Sequence, residues 1–145
     1  MDLDGCIKFA NDNPVCYVAT VDGDQPRVRA FGLWFADKTG FYFCTGAPKA
    51  VCRQLQANPR TEVCFYTPAT PQDIGPMMRV AGKVEFLDDI ALKTRILQEW
   101  PFLKDAGIKG PEDPMLVLFR IASGEASFWT MEAEMSGAEA EKIRF

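Results

Sequence analysis

Three cations, a hydroxyl and an amide stand at spacings that would let them hold an anion together. Thr45, Lys49, Arg53 and Gln54 fall in one run, Phe41–Leu55, and Arg29 follows Arg27 a short way upstream. The run reads as a β-strand passing through a short turn into a helix. A helix start offers unpaired N–H groups and a positive dipole end, so it favours anions. Pro48 suits the first helical turn because it needs no N–H partner there. Lys49 and Arg53, four residues apart, share one helix face, while Val51 and Leu55 lie on another face that can bury. An arginine, a lysine, a hydroxyl and a helix start make a phosphate grip, since planar guanidinium groups and charge-assisted bonds suit phosphate oxygens. The charge positions alone favour the plainer reading, in which these cations are solvated faces of a strand and a surface helix.

The elements around the run must bring Arg29 to it. Residues 2–13 read as a short helix with Cys6, Ile7, Phe9 and Ala10 on its apolar side, ended at Asn13-Pro14. Val15–Val21 is β-rich, and Asp22-Gly23-Asp24 turns it into Arg27–Phe35. That strand opens with alternation: Arg27 and Arg29 on one side, Val28 and Ala30 on the other. Asp37–Gly40 turns the chain again into Phe41–Thr45, so three successive antiparallel strands follow. After a helix at about 48–57 come strands at Thr61–Thr67 and Met77–Leu87, the latter with a bulge or close approach at Gly82. Asp88-Asp89 caps a helix through about Trp100, with Ile90, Ile96, Leu97 and Trp100 on one side. Residues 101–114 read as irregular, Met115–Ile121 and Glu125–Met131 as strands joined around Ser123-Gly124, and Ser136–Glu141 as a mobile connection. Hairpin-linked strands with little alternation of strand and helix predict a mainly β, α+β chain: a six- to seven-stranded antiparallel split β-barrel with two or three short helices.

Composition removes several chemistries. The chain has 145 residues, 48% of them apolar and 25% charged, which predicts one soluble domain over 1–145. A net charge of −4 counts against nucleic-acid binding. No run is long enough to span a membrane, and the acidic start lacks the features of a signal peptide, so a cytoplasmic location is expected. There is no histidine, and the five cysteines (Cys6, Cys16, Cys44, Cys52 and Cys64) show no metal-ligand spacing. No metal is expected, and histidine-based triads are excluded. The cysteines sit in apolar runs and read as small core residues.

Tyr17–Val21 with Pro26–Phe31, then Phe41–Thr45 through Lys49, Gln54-Leu55 and Asn58-Pro59-Arg60, then Met78–Phe86 with its Gly82-Lys83-Val84-Glu85, follow one another in a familiar order. Over roughly residues 10–130 the chain resembles the pyridoxamine 5′-phosphate oxidase-like FMN-binding split barrels. The resemblance implies an FMN phosphate held by Arg29, Thr45 and Lys49, with Arg53 and Gln54 nearby. It implies backbone groups of Ala30, Phe31 and Cys44 against the isoalloxazine ring. It also implies a homodimer with flavin sites at the interface, each completed by Trp129, and less surely Met77 and Arg79, of the other chain.

The substrate half of the family pattern is missing. The C-terminal arm with Arg and His is absent, and Trp34 stands where the oxidases carry a substrate-phosphate lysine. Oxidation of pyridoxamine phosphate is therefore not expected. What the resemblance implies is an FMN-dependent oxidoreductase that passes electrons from NADH or NADPH to a small organic acceptor, with no side chain marked as catalytic. A non-enzymatic flavin carrier or sensor, or a relative that binds the deazaflavin F420, are the alternatives.

Overall fold

The computed structural model describes residues 1–145. Along the chain run α1 (Leu3–Asp12), β1 (Val15–Asp22), β2 (Gln25–Asp37), β3 (Gly40–Gly46), α2 (Ala50–Ala57) and β4 (Arg60–Tyr66). Then follow β5 (Met77–Leu87), α3 (Ile90–Glu99), α4 (Phe102–Asp105), β6 (Leu116–Trp129), α5 (Met131–Met135) and β7 (Lys142–Arg144). The sheet order is β3-β2-β1-β4-β5-β6-β7, and β3 also pairs with β6. That last pairing closes six antiparallel strands into a barrel and leaves β7 on the flank of β6. The expected barrel is borne out.

Alternation builds the core. Cys16, Val18 and Thr20 of β1 point inward and are buried, and Phe41 and Phe43 of β3 meet Phe65, Met78, Val80, Phe119 and Ile121 inside. Each fully buried valine, isoleucine, methionine or phenylalanine among them contributes about 1.5–3 kcal/mol. Helix α1 is started by the Asp2 carboxylate, which accepts from the Gly5 N–H at 2.8 Å, and it buries Cys6 and Ala10. Helix α2 buries Val51 and Leu55, the face the sequence assigned to the core. A second apolar cluster of Trp34, Tyr42, Ile96, Leu97, Leu116 and Leu118 seats α3 outside β2, β3 and β6.

Four expectations need correction. There are five helices rather than two or three. The additions, α4 and α5, are single turns of four and five residues, too short to leave an apolar period. The stretch around Ser123-Gly124 is no turn, because β6 runs unbroken for fourteen residues. Gly124 sits opposite Gly82, where an added Cβ would lie 2.1 Å from the Ala81 carbonyl oxygen. Two glycines let the strands touch and bend there, beside a register shift at Gly82/Val84. Helix α2 starts later than expected: Lys49 is its extended N-cap, so Pro48 precedes the helix and Lys49 lies outside the shared face with Arg53. Finally, Ile90 is 47% exposed, at the open start of α3, while Ile96 and Leu97 are buried.

Strand β2 divides into two halves. Residues 25–32 pair with β1, and the pairing with β3 begins only at Leu33, followed by a register shift before Phe35. The first half therefore has one ladder neighbour and projects from the barrel. Val28 is 70% exposed in consequence. That projecting half carries Arg29.

Candidate functional site

The β1–β2 register sets Arg29 opposite Val18, and α2 packs beside β1 so that Gln54 reaches the same place. One guanidinium nitrogen of Arg29 donates to Thr20 Oγ1 at 2.7 Å and to the Val18 carbonyl at 3.2 Å. The other donates to Gln54 Oε1 at 2.6 Å, which also accepts from the Thr20 hydroxyl at 2.7 Å. Every acceptor is neutral. Burial first, and then the like charge of Arg27, push the Arg29 guanidinium below its ordinary value, yet it remains a cation at neutral pH. Arg29, Lys49 and Arg53 take part in none of the chain's ion pairs, whereas Arg27 pairs with Asp22 at 3.2 Å.

The turn from β3 into α2 is held by backbone bonds. The Ala47 N–H donates to the Met115 carbonyl and the Lys49 N–H to the Gly46 carbonyl, both at 3.0 Å. Arg53 reaches back to the Pro48 carbonyl at 2.7 Å, which clamps the turn from the helix side. The N–H groups of Ala50 and Val51 find no acceptor in the chain and leave the helix start open. Thr45, one strand position before the turn, is 5% exposed and its hydroxyl has no partner. A buried hydroxyl left so costs about 1–3 kcal/mol, so the position is built for something that supplies an acceptor.

These groups line a trough made of three adjoining hollows. Arg29, Arg53 and Gln54 border an outer recess of about 500 Å³. Arg29, Ala30, Phe31, Cys44 and Lys49 border a middle hollow of about 620 Å³. Cys44, Thr45 and Lys49 border an inner cleft of about 430 Å³. Eight of the nine site residues expected from sequence thus meet along one trough, with Lys49 and Cys44 common to its middle and inner parts.

Trp129 lies apart from these eight. It stands at the far end of β6, opposite Met77 in the β5 ladder, and its indole N–H donates to Glu134 of α5. Arg79 faces Glu62 at 3.9 Å on the same outer sheet face. Sequence reasoning missed Thr20, which orients Arg29, and the wall formed by Trp100 and Phe102. The dense aromatic and proline content of Trp100-Pro101-Phe102, at the junction of the expected helix with the segment read as irregular, was the available signal.

Acid–base chemistry by side chains has little material here. Burial pushes the Cys44 thiol up to about 11, against a smaller opposing pull from Lys49, so it is protonated at neutral pH and no nucleophile. No group of three or more Cys, Asp or Glu side chains is arranged to hold a metal ion. No helix is long and apolar enough to cross a membrane.

Set beside known proteins, the chain matches the family model of pyridoxamine 5′-phosphate oxidase over residues 6–130. The pyridoxine/pyridoxamine 5′-phosphate oxidase of Pseudomonas putida (strain W619) is 41% identical over 69 residues, 47% of this chain and 30% of that enzyme. The chain thus spans less than a third of the length of that relative. Among solved structures, a NimC/NimA family protein from Clostridium acetobutylicum superposes with a TM-score of 0.79 at 24% identity, covering 99% of this chain and 93% of its own. A FAD-binding protein from Mesorhizobium loti gives a TM-score of 0.67 at 24% identity, with 88% and 94% covered. Those two likenesses establish the barrel. The match over residues 6–130 goes further: the chain belongs to the pyridoxamine 5′-phosphate oxidase family.

Proposed function

We propose that this protein binds FMN and works as an oxidoreductase, passing electrons from NADH or NADPH to a small organic acceptor. The carrying observation is the convergence of Arg29, Lys49 and Arg53, without a carboxylate partner, on a trough where a buried threonine hydroxyl lacks an acceptor. None of the chain's twenty acidic residues pairs with these three neighbouring cations, so their charge is open to an anion. A phosphate suits it: guanidinium and ammonium donors, the Thr45 hydroxyl and the open N–H groups of Ala50 and Val51 all donate. Ala30, Phe31 and Cys44 would then lie along the flavin ring. FMN, when bound, supplies the hydride chemistry, and the chain supplies position, charge and exclusion of water.

The proposal extends to a homodimer. Val15, Tyr17 and Val28 are 63%, 43% and 70% exposed on β1 and β2, an apolar face larger than isolated surface residues would make. That face continues across β4 and β5 through the pairs Tyr17–Cys64 and Tyr66–Met77 to Trp129. Two copies apposed through it would bring Trp129 and Met77 of one toward the trough of the other.

A second reading, a flavin carrier or sensor, draws support from the absence of histidine and from the Cys44 thiol, which burial pushes up to about 11. The visible absorbance of the purified protein, with mass spectrometry of what denaturation releases, tests the main reading and separates FMN from F420. A colourless protein that takes up no added FMN would sink it. Anaerobic mixing with NADH or NADPH then divides enzyme from carrier, since a carrier's flavin stays oxidised.

A further inference from the structure

The inner cleft reaches beyond the residues that a phosphate would need. Past Thr45 and Lys49 its walls are Trp100, Phe102, Leu103, Ala106, Ile108 and Met115, all from the segment between α3 and β6. Its volume of about 430 Å³ lies in the range of small-molecule sites, too small for a helix or a loop of another protein. Trp100 and Phe102 stack on each other with centroids 5.5 Å apart at 29°, and both rings line the cleft. Phe102 and Met115 are 57% and 44% exposed, so apolar area stands open at the rim. The only charged residue on the lining is Lys49, and no carboxylate is there.

We propose that this cleft is a binding site for a flat aromatic molecule that carries an acceptor oxygen, a carboxylate or a carbonyl, and that it rejects aromatic cations. The aromatic pair takes the ring by offset stacking, as aromatic faces prefer. Leu103, Ile108 and Met115 exclude water from its edges, and Lys49 meets the acceptor oxygen. A cationic ring would lose its hydration against apolar walls and face the Lys49 charge with nothing to offset either cost. Aromatic faces by themselves attract cations only weakly at exposed sites; here no carboxylate adds to that pull, and the nearest charge, Lys49, is positive and decides the sign. The binding claim stands on the cleft alone. Its meaning as the substrate class rests on the flavin reading, because only a neighbouring flavin makes the occupant an electron acceptor.

The test titrates the full-length protein with naphthoate, naphthamide and naphthylmethylammonium by calorimetry, with and without saturating FMN. Naphthoate and naphthamide are expected to bind, and the ammonium at least about tenfold more weakly. Ala106→Glu adds a carboxylate at an exposed lining position and should weaken naphthoate at least about tenfold while the thermal midpoint holds. Phe102→Ala, also at an exposed position, should weaken both uncharged and anionic probes. Failure of naphthoate and naphthamide to bind in either condition would overturn the proposal. So would equal binding of the ammonium, or naphthoate affinity indifferent to both substitutions. Naphthoate binding without any FMN binding upholds the cleft and removes the flavin reading, so the two failures are distinguishable.

Discussion

Two arginine sites on this barrel have opposite surroundings. Arg120, on β6, donates to Glu85 at 3.0 Å and to the Tyr42 hydroxyl at 2.9 Å, and its guanidinium lies 5.7 Å from the Tyr42 ring centre. Those hydrogen bonds, to Tyr42 first and Glu85 second, raise its proton affinity above the ordinary value. Arg29, on the projecting half of β2, meets only neutral acceptors, and burial lowers its affinity. Arg120 belongs to a ladder that continues through the stacked pair Tyr42–Phe35 to Arg95 and Glu99. The difference teaches where to look for binding. A cation whose charge is answered inside the chain serves the fold, and one held in place but left unanswered is available to a ligand.

The comparison breaks most decisively at the unanswered site. Arg29→Ala combined with Lys49→Ala should lower FMN affinity by at least about a hundredfold, since each charged hydrogen bond is worth about 1.5–3 kcal/mol. Circular dichroism should show the barrel intact, and equal FMN affinity in the double variant would mean the grip is elsewhere. A subtler change converts one site into the other. Gln54→Glu hands Arg29 a carboxylate at the position of the present Oε1, so FMN affinity should fall about tenfold, or about 1.4 kcal/mol. The thermal midpoint should hold or rise in the same variant; unchanged affinity would show that Arg29 is not addressed by phosphate.

At the answered site the signs reverse. Arg120→Ala should cost about 1 kcal/mol of stability, the scale of a partly exposed pair, and leave FMN affinity where it was. A large affinity loss there would erase the distinction between the two arginines. The smallest effect concerns pH. Burial raises the Cys16 thiol from 9.0 to about 12 and Cys44 to about 11, so the folded chain holds these protons longer than the unfolded chain. That contribution is whole below about pH 9 and is lost as pH rises through 11 and 12. Thermal melts should show declining midpoints across that window, with a shallower decline for Cys44→Ala.

Much of this was legible in the residues. The β-rich runs Val15–Val21 and Phe41–Thr45, with hairpin turns at Asp22-Gly23-Asp24 and Asp37–Gly40, announce three successive antiparallel strands, because a short turn folds each strand back on its neighbour. Helices α4 and α5 were illegible because one turn has no period to read. The bend of β6 at Gly124 looked like a turn, since a glycine signals both, and only the facing Gly82 tells which. Thr20 looked like an ordinary strand threonine, and its role exists only because α2 brings Gln54 to it across thirty-four positions.

By itself the sequence determined the barrel's first three strands, the helix start after Thr45, the absence of histidine chemistry and the family. These depend on neighbours in the chain: periodicity, turn residues and local motifs act over a few positions. Tertiary structure alone decided that Arg29 meets only neutral partners, that the Thr45 hydroxyl has none, and that Trp100 and Phe102 wall the trough. Whether a charge is answered or a hydroxyl satisfied depends on which distant groups share its space. That is set by strand closure and helix packing, on which the spacing of residues along the chain is silent.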